Sequence, residues 1–169
     1  AIIEKSAKSY ENRMRSWIDI ALEEGVRFFV TALGNPDWAV QKVHAAGGIV
    51  FHDVTELKWA QKAKDAGVDG LICVNGRAGG HAGTKSPQEL FDTLSPLGLP
   101  LVAAGGVGDE ARYVETMSIG YGAVQMGTRF IATNECQVHQ DYWDAILKAE
   151  ESDIVLTERL SGVPVSVIN

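Results

Sequence analysis

The sequence predicts an α/β fold of parallel strands joined by helices, and three observations carry that prediction. Five times a glycine is followed within a few residues by a short apolar run. The stretches before these glycines carry helical periodicity, with one apolar face each. The runs themselves are continuously apolar rather than alternating, which is the pattern of strands covered on both faces. A repeat of strand, loop, helix and glycine at this length requires parallel pairing, because only a crossover of helical size returns the chain to the same end of a sheet.

The elements follow in order. Trp17, Ile20 and Ala21 mark the apolar face of a first helix that stops at Gly25, and Phe28-Phe29-Val30 is the first strand. Val40, Val43 and His44 mark the second helix, ended by Gly47 before Ile49-Val50-Phe51. Leu57, Ala60 and Ala63 mark the third, ended by Gly67 before Leu71-Ile72-Cys73-Val74. Gly98 precedes Leu101-Val102-Ala103-Ala104, and Gly120 precedes Ala123-Val124. Glycine just past a helix takes the left-handed conformation at little steric cost, so each reads as a stop. The pattern leaves two architectures open, a doubly wound sheet or a closed barrel. In both, function lies in the loops after the strands. Those loops hold Gly34-Asn35-Pro36, Asp53-Val54-Thr55, Asn75 to Gly83, Gly105-Gly106-Val107-Gly108 and Gly127-Thr128, all expected on one rim.

Composition narrows the classes of partner. Fifteen Lys and Arg against 22 Asp and Glu give a net charge of −7, with no extended basic run, which argues against nucleic acid and for small molecules. No apolar run reaches the length of a bilayer span and no leader-like segment opens the chain, so a cytoplasmic location and no membrane contact are expected. Cys73 and Cys136 lack metal-ligand or redox spacing and read as buried free thiols. No metal site is expected.

The stretch AGGHAG, residues 78–83, places His81 among small residues on the functional rim. An imidazole there has room for a flat ligand beside it and exchanges a proton near neutral pH. No serine or cysteine nucleophile accompanies it, so triad hydrolysis is poorly supported. His44 and His139 lie in helical sequence and read as structural, whereas His52 and Asp53 point to opposite faces of one strand. Glycines at strand ends let backbone amides approach an anion, and AAGGVGD and MGTRF supply two such loops in successive units. Asp109 at the following helix start favours that helix but repels a phosphate, which leaves the amides of Gly105 and Gly106 as the better donors. Arg129 pairs either with a phosphate or with a carboxylate, the latter favoured by its bidentate geometry. Trp17, Trp38, Trp59 and Trp143 read as helix anchors, Tyr121 as a residue of the opposite rim, and Glu135 as the start of the last helical stretch.

GVDGLICVNGRAGGHAG, LPLVAAGGVGD and GAVQMGTRFIATNEC, in this order, resemble the FMN-dependent nitronate monooxygenase family, also called 2-nitropropane dioxygenases. The resemblance runs through nearly the whole chain and is specific as a set. It implies a TIM (β/α)8 barrel with FMN at the C-terminal rim. It further implies that Ala104, Gly105, Gly106, Gly127 and Thr128 hold the flavin phosphate, that Gly79 and Gly80 let the ring lie close, and that His81 is the catalytic histidine. The implied reaction oxidises an alkyl nitronate, or a nitroalkane deprotonated by the histidine, with dioxygen to a carbonyl compound and nitrite.

A (β/α)8 barrel takes about 250 residues, and residues 1–169 match about the last five units, without the first three strands or a C-terminal extension. The expectation is a single barrel domain whose remainder lies on a longer polypeptide, with a half-barrel that forms a homo-oligomer as the alternative. Asp53 is a departure, because some relatives place a basic residue at the matching strand end. An FMN-dependent NAD(P)H reductase, for a quinone or an enoyl-acyl-carrier-protein, is the alternative enzyme. A domain that keeps the glycines as turns and has lost the flavin is the non-enzymatic one.

Overall fold

The computed structural model describes residues 8–160 and 162–169. In chain order its elements are α1 (Lys8–Glu23), β1 (Phe28–Thr31), α2 (Asp37–Ala45), β2 (Ile49–Val54), α3 (Leu57–Asp65), β3 (Gly70–Val74), β4 (Gly80–His81) and α4 (Pro87–Leu94). They continue as β5 (Leu101–Ala104), α5 (Glu110–Ile119), β6 (Ala123–Gln125), α6 (Thr128–Ile131), α7 (Gln140–Lys148), β7 (Ile154–Thr157) and β8 (Val165–Ile168). All five strands read from the glycine-punctuated runs form, and they pair in parallel in the order β1-β2-β3-β5-β6. The sheet is part of a TIM barrel, with α2 to α5 as its crossovers.

The pairing register assigns every strand residue to a face. Phe51 stands beside Gly70 and Asp53 beside Ile72, Val74 beside Ala104, and Ala104 beside Gln125. These residues, with Phe28, Val30 and Ile49 by the same register, form the inner face. Val50, His52, Val54, Leu71, Cys73, Leu101 and Ala103 form the outer face, and all are buried beneath the helices. Leu90 and Leu94 of α4 reach zero exposure there. Truncating such a side chain to alanine costs about 2–5 kcal/mol, so this layer fixes where the strand ends lie.

Local signals explain the helix starts that aim the loops. Ser86 and Glu89 form a reciprocal capping box at α4, with Pro87 in the first turn, where its missing N–H costs nothing. Asp109 Oδ1 accepts from the amide of Arg112 at 2.8 Å, as expected for an anionic cap of α5.

β6 ends at Gln125, and after Gly127 the MGTRF stretch turns at Thr128 into the short helix α6. Other readings need correction. Glu135 lies in a turned segment well before α7, because the helix starts only after His139, whose Nδ1 accepts from the amide of Asp141. His139 is therefore a cap and not a mid-helix residue. A second, antiparallel sheet, β4-β8-β7, is absent from the sequence reading, since β4 is two residues long and has no periodicity to detect. The four tryptophans do fall on helices α1, α2, α3 and α7, and Cys73 is buried with its thiol pushed up to about 12 by desolvation, whereas Cys136, in the turned segment before α7, is only partly buried.

Candidate functional site

The C-terminal ends of the parallel strands open into a cavity of about 1760 Å³, bordered by the loops after all five strands. His81, Gly79, Gly80, Ala104, Gly105, Gly106, Gly127 and Thr128 all border it, so the structure brings the sequence-derived residues to one place. Among the described residues, no cluster of three or more metal-ligating side chains exists, and no helix is long and apolar enough to cross a membrane.

His81 owes its position to the second sheet. Its partner across the antiparallel pair is Val165, Gly80 faces Ser166, and the amide of Ala82 donates to the carbonyl of Pro164 at 3.2 Å. The C-terminal strand thus holds the backbone on both sides of the imidazole. Gly80 has φ +76°, a conformation that side chains rarely adopt, and it turns the chain into β4.

Asn75 connects this segment to the phosphate-loop candidate, and the sequence reading gave it no role. Its side chain is buried at 1% exposure; Nδ2 donates to the carbonyl of Gly105 at 3.0 Å, and Oδ1 accepts from the amide of Arg77 at 2.8 Å. Its carbonyl accepts from the amides of Ala78 and Gly83. One side chain therefore fixes the loop after β3 against the loop after β5. The available signal was a polar amide immediately after a fully apolar strand, where a buried residue must find partners.

The glycines divide by what surrounds them. A Cβ on Gly105 would lie 2.6 Å from both Ala78 N and Asn75 Oδ1, and one on Gly79 would collide with the Thr128 hydroxyl. These two permit close packing of neighbouring loops. By contrast, a Cβ on Gly80, Gly108 or Gly127 would meet nothing within 4 Å, and all three border the cavity. Bare backbone there faces open space, which is the surface a flat ligand with an anionic end requires. Arg129 borders the same cavity and makes no ion pair among the described residues, so the carboxylate pairing favoured from sequence does not form.

The profile of the family "NMO: Nitronate monooxygenase" matches residues 2–169. The chain belongs to the nitronate monooxygenase family. The family is one of flavin-dependent oxidoreductases. A protein named "Probable nitronate monooxygenase" from Staphylococcus saprophyticus is 31% identical over 169 residues, covering 91% of this chain and 47% of its own length. A (3aS,4S,5R,7aS)-5-hydroxy-7a-methyl-1-oxo-octahydro-1H-indene-4-carboxyl-CoA dehydrogenase from Rhodococcus jostii is also 31% identical, over 90% of this chain and 43% of the relative. The structure of FabK from Thermotoga maritima superimposes with a TM-score of 0.83 at 32% identity, over 91% of this chain and 50% of that one. Nitroalkane oxidase from Streptomyces ansochromogenes shares the fold, with a TM-score of 0.81 at 21% identity. The chain spans about half the length of the relatives it matches.

Proposed function

We propose that the cavity is the site of FMN-dependent oxidation of alkyl nitronates or nitroalkanes by dioxygen, with a carbonyl compound and nitrite as products. The observation that carries the reading is the meeting of His81 with bare-backbone glycines on one rim, in a chain of the nitronate monooxygenase family. In this reading Ala104, Gly105, Gly106, Gly127 and Thr128 surround the phosphate, and Gly80 leaves the ring room to lie against the chain. Bound there, FMN supplies the redox couple that takes electrons from the substrate and passes them to dioxygen.

The chain's own residues provide the rest. His81 takes the proton from the carbon next to the nitro group of a neutral substrate, and a positioned base of this kind contributes about 10²- to 10⁴-fold. β8 keeps the imidazole at the mouth, and Asn75 holds the glycine loop in register with it. The exposed apolar residues Phe28, Val30 and Ile49 on the inner face are then the surface against which the remaining barrel strands close.

A second reading, an FMN-dependent NAD(P)H reductase for a quinone or an enoyl thioester, has support in the equal similarity to FabK and to the CoA dehydrogenase. Nitrite release from nitroethane by the flavin-loaded protein, with no nicotinamide present, is the expected result. Flavin reduction that needs NAD(P)H, with no nitrite formed, would favour the second reading.

A further inference from the structure

Arg77 lies in the loop that leads from β3 to His81, and its position is set from two sides. Its amide donates to Asn75 Oδ1 at 2.8 Å, and Asn75 in turn holds the carbonyl of Gly105. Its side-chain stem lies across Gly106, where a Cβ would come within 2.8 Å of Arg77 Cβ and 2.9 Å of its Cδ. Gly106 also has φ +74°, so both the turn and the stem require a glycine there. Arg77 and Glu151 border the cavity together, with Nε 3.6 Å from Oε1. That separation is too long for a hydrogen bond, and the Glu151 side chain is 79% exposed, so the ion pair contributes little to stability.

A phosphate at this glycine loop needs a cation. The loop amides are neutral donors, while Asp109 and Glu110, at the cap and first turn of α5, add negative charge beside them. A phosphate monoester brings a charge of about −1.5 to −2 near neutral pH. It enters a chain whose own net charge is −7. Among the cations that border the cavity, Arg112 is bound to Glu115 at 2.7 Å, and the charges of Glu151 and Asp109 also reach it. Lys62 and Lys85 border the cavity from α3 and from the approach to α4, and Arg129 borders it from α6. Arg77 is the one whose stem fills the place of a Cβ on the glycine loop.

We infer that Arg77 is the counter-charge for the flavin phosphate, and that Glu151 is the internal anion that Arg77 exchanges for that phosphate when the cofactor binds. This rests on the reading of the glycine loops as the flavin phosphate site. The exchange favours the phosphate because a planar guanidinium offers it two parallel N–H groups, whereas the approach to Glu151 makes no hydrogen bond. Selection of a phosphorylated flavin over riboflavin is the consequence.

Titration of the deflavinated full-length protein with FMN and with riboflavin, followed by flavin fluorescence, tests the inference. Arg77→Gln is expected to weaken FMN about ten- to a hundredfold, the range of a charge-assisted hydrogen bond, and riboflavin less than about threefold. Glu151→Gln is expected to tighten FMN about threefold and to leave riboflavin unchanged, because the competing carboxylate is gone. That gain is expected to vanish in an Arg77→Gln background and to persist in an Arg129→Gln background. Glu151 is exposed, so its variant decides the matter even where Arg77→Gln loosens the loop. Equal weakening of both flavins by Arg77→Gln, with no gain from Glu151→Gln, would show that the arginine only supports the loop and would overturn the inference. A Glu151→Gln gain of the same size with and without Arg77 would overturn it too, as an effect of the general field. Binding of neither flavin by the wild type would refute the cofactor reading and this inference together. Phosphate selection that follows Arg77, with no nitrite formed from nitroethane, would refute only the proposed reaction.

Discussion

His52 and Asp53 are consecutive residues of β2 whose side chains lie on opposite faces of the sheet, and burial shifts them in opposite directions. His52 is sealed under the helices, with Nδ1 2.7 Å from Thr31 Oγ1; a ring proton on Nδ1 lets that hydroxyl accept from the imidazole and donate to the carbonyl of Phe51. Desolvation, with Lys62 adding to it, lowers His52 to about 4, whereas desolvation raises Asp53 to about 6. The same strand therefore holds a neutral imidazole against the core and a reluctant carboxylate against the cavity.

Opposed dependences of stability on pH follow. The folded-state value of His52 lies below its unfolded value of 6.5, so its contribution is present above that pH and lost as pH falls through about 4. For Asp53 the folded value lies above the unfolded 3.8, so its contribution is present at acid pH and lost as pH rises through about 6. Each amounts to about 3 kcal/mol before solvent screening, and in the wild type they largely cancel across this window. Denaturant unfolding at a series of pH values is expected to show a shallow profile in the wild type. Asp53→Asn is expected to steepen the loss of stability on acidification and to be the more stable protein at alkaline pH. A variant profile parallel to that of the wild type would refute the assignment.

His81→Asn is expected to retain flavin and to lose about 10²- to 10⁴-fold in turnover of neutral nitroalkane. Turnover of preformed nitronate is expected to fall less, because the proton has already left. Steady-state kinetics on the two substrate forms check this, and equal losses on both would assign His81 to another step.

Gly127→Val and Gly105→Val separate ligand space from loop packing. The first adds a branched side chain where nothing lies within 4 Å, so folding is expected to survive while flavin occupancy falls. The second drives a Cβ into Ala78 and Asn75 and is expected to lower thermal stability as well as flavin content. Absorbance for bound flavin and thermal melts of the apoprotein measure the two effects. Full flavin occupancy in Gly127→Val would remove this loop from the cofactor site.

Asn75→Ala leaves the carbonyl of Gly105 and the amide of Arg77 without their side-chain partner, at a cost of about 1–3 kcal/mol. Weaker flavin binding is expected with it, because the two loops lose their common anchor. A thermal midpoint within error of the wild type would show that water replaces the amide.

The parallel sheet was legible because each of its strands is a continuous apolar run with a glycine before it, and because His81 and the glycine loops lie in contiguous motifs. The second sheet was not. β4 consists of Gly80 and His81 alone, and its identity as a strand depends on Val165 and Ser166, more than eighty positions away. Asn75 escaped notice for a related reason: its role depends on Gly105, in the next parallel strand's loop, and no local pattern announces a contact of that range. Asp53 was visible as a departure from the relatives, but its lack of a partner emerges only when the faces of β2 are assigned by register.

The central claim, flavin-dependent oxidation of a nitro compound at the His81 rim, is tested most directly by mixing the flavin-loaded full-length protein with nitroethane in the absence of oxygen and of nicotinamide. Bleaching of the visible bands of oxidised flavin, reversed when dioxygen is admitted and accompanied by nitrite, is the expected result. A spectrum that stays unchanged with nitroethane and with its nitronate, yet bleaches on addition of NAD(P)H, would contradict the claim.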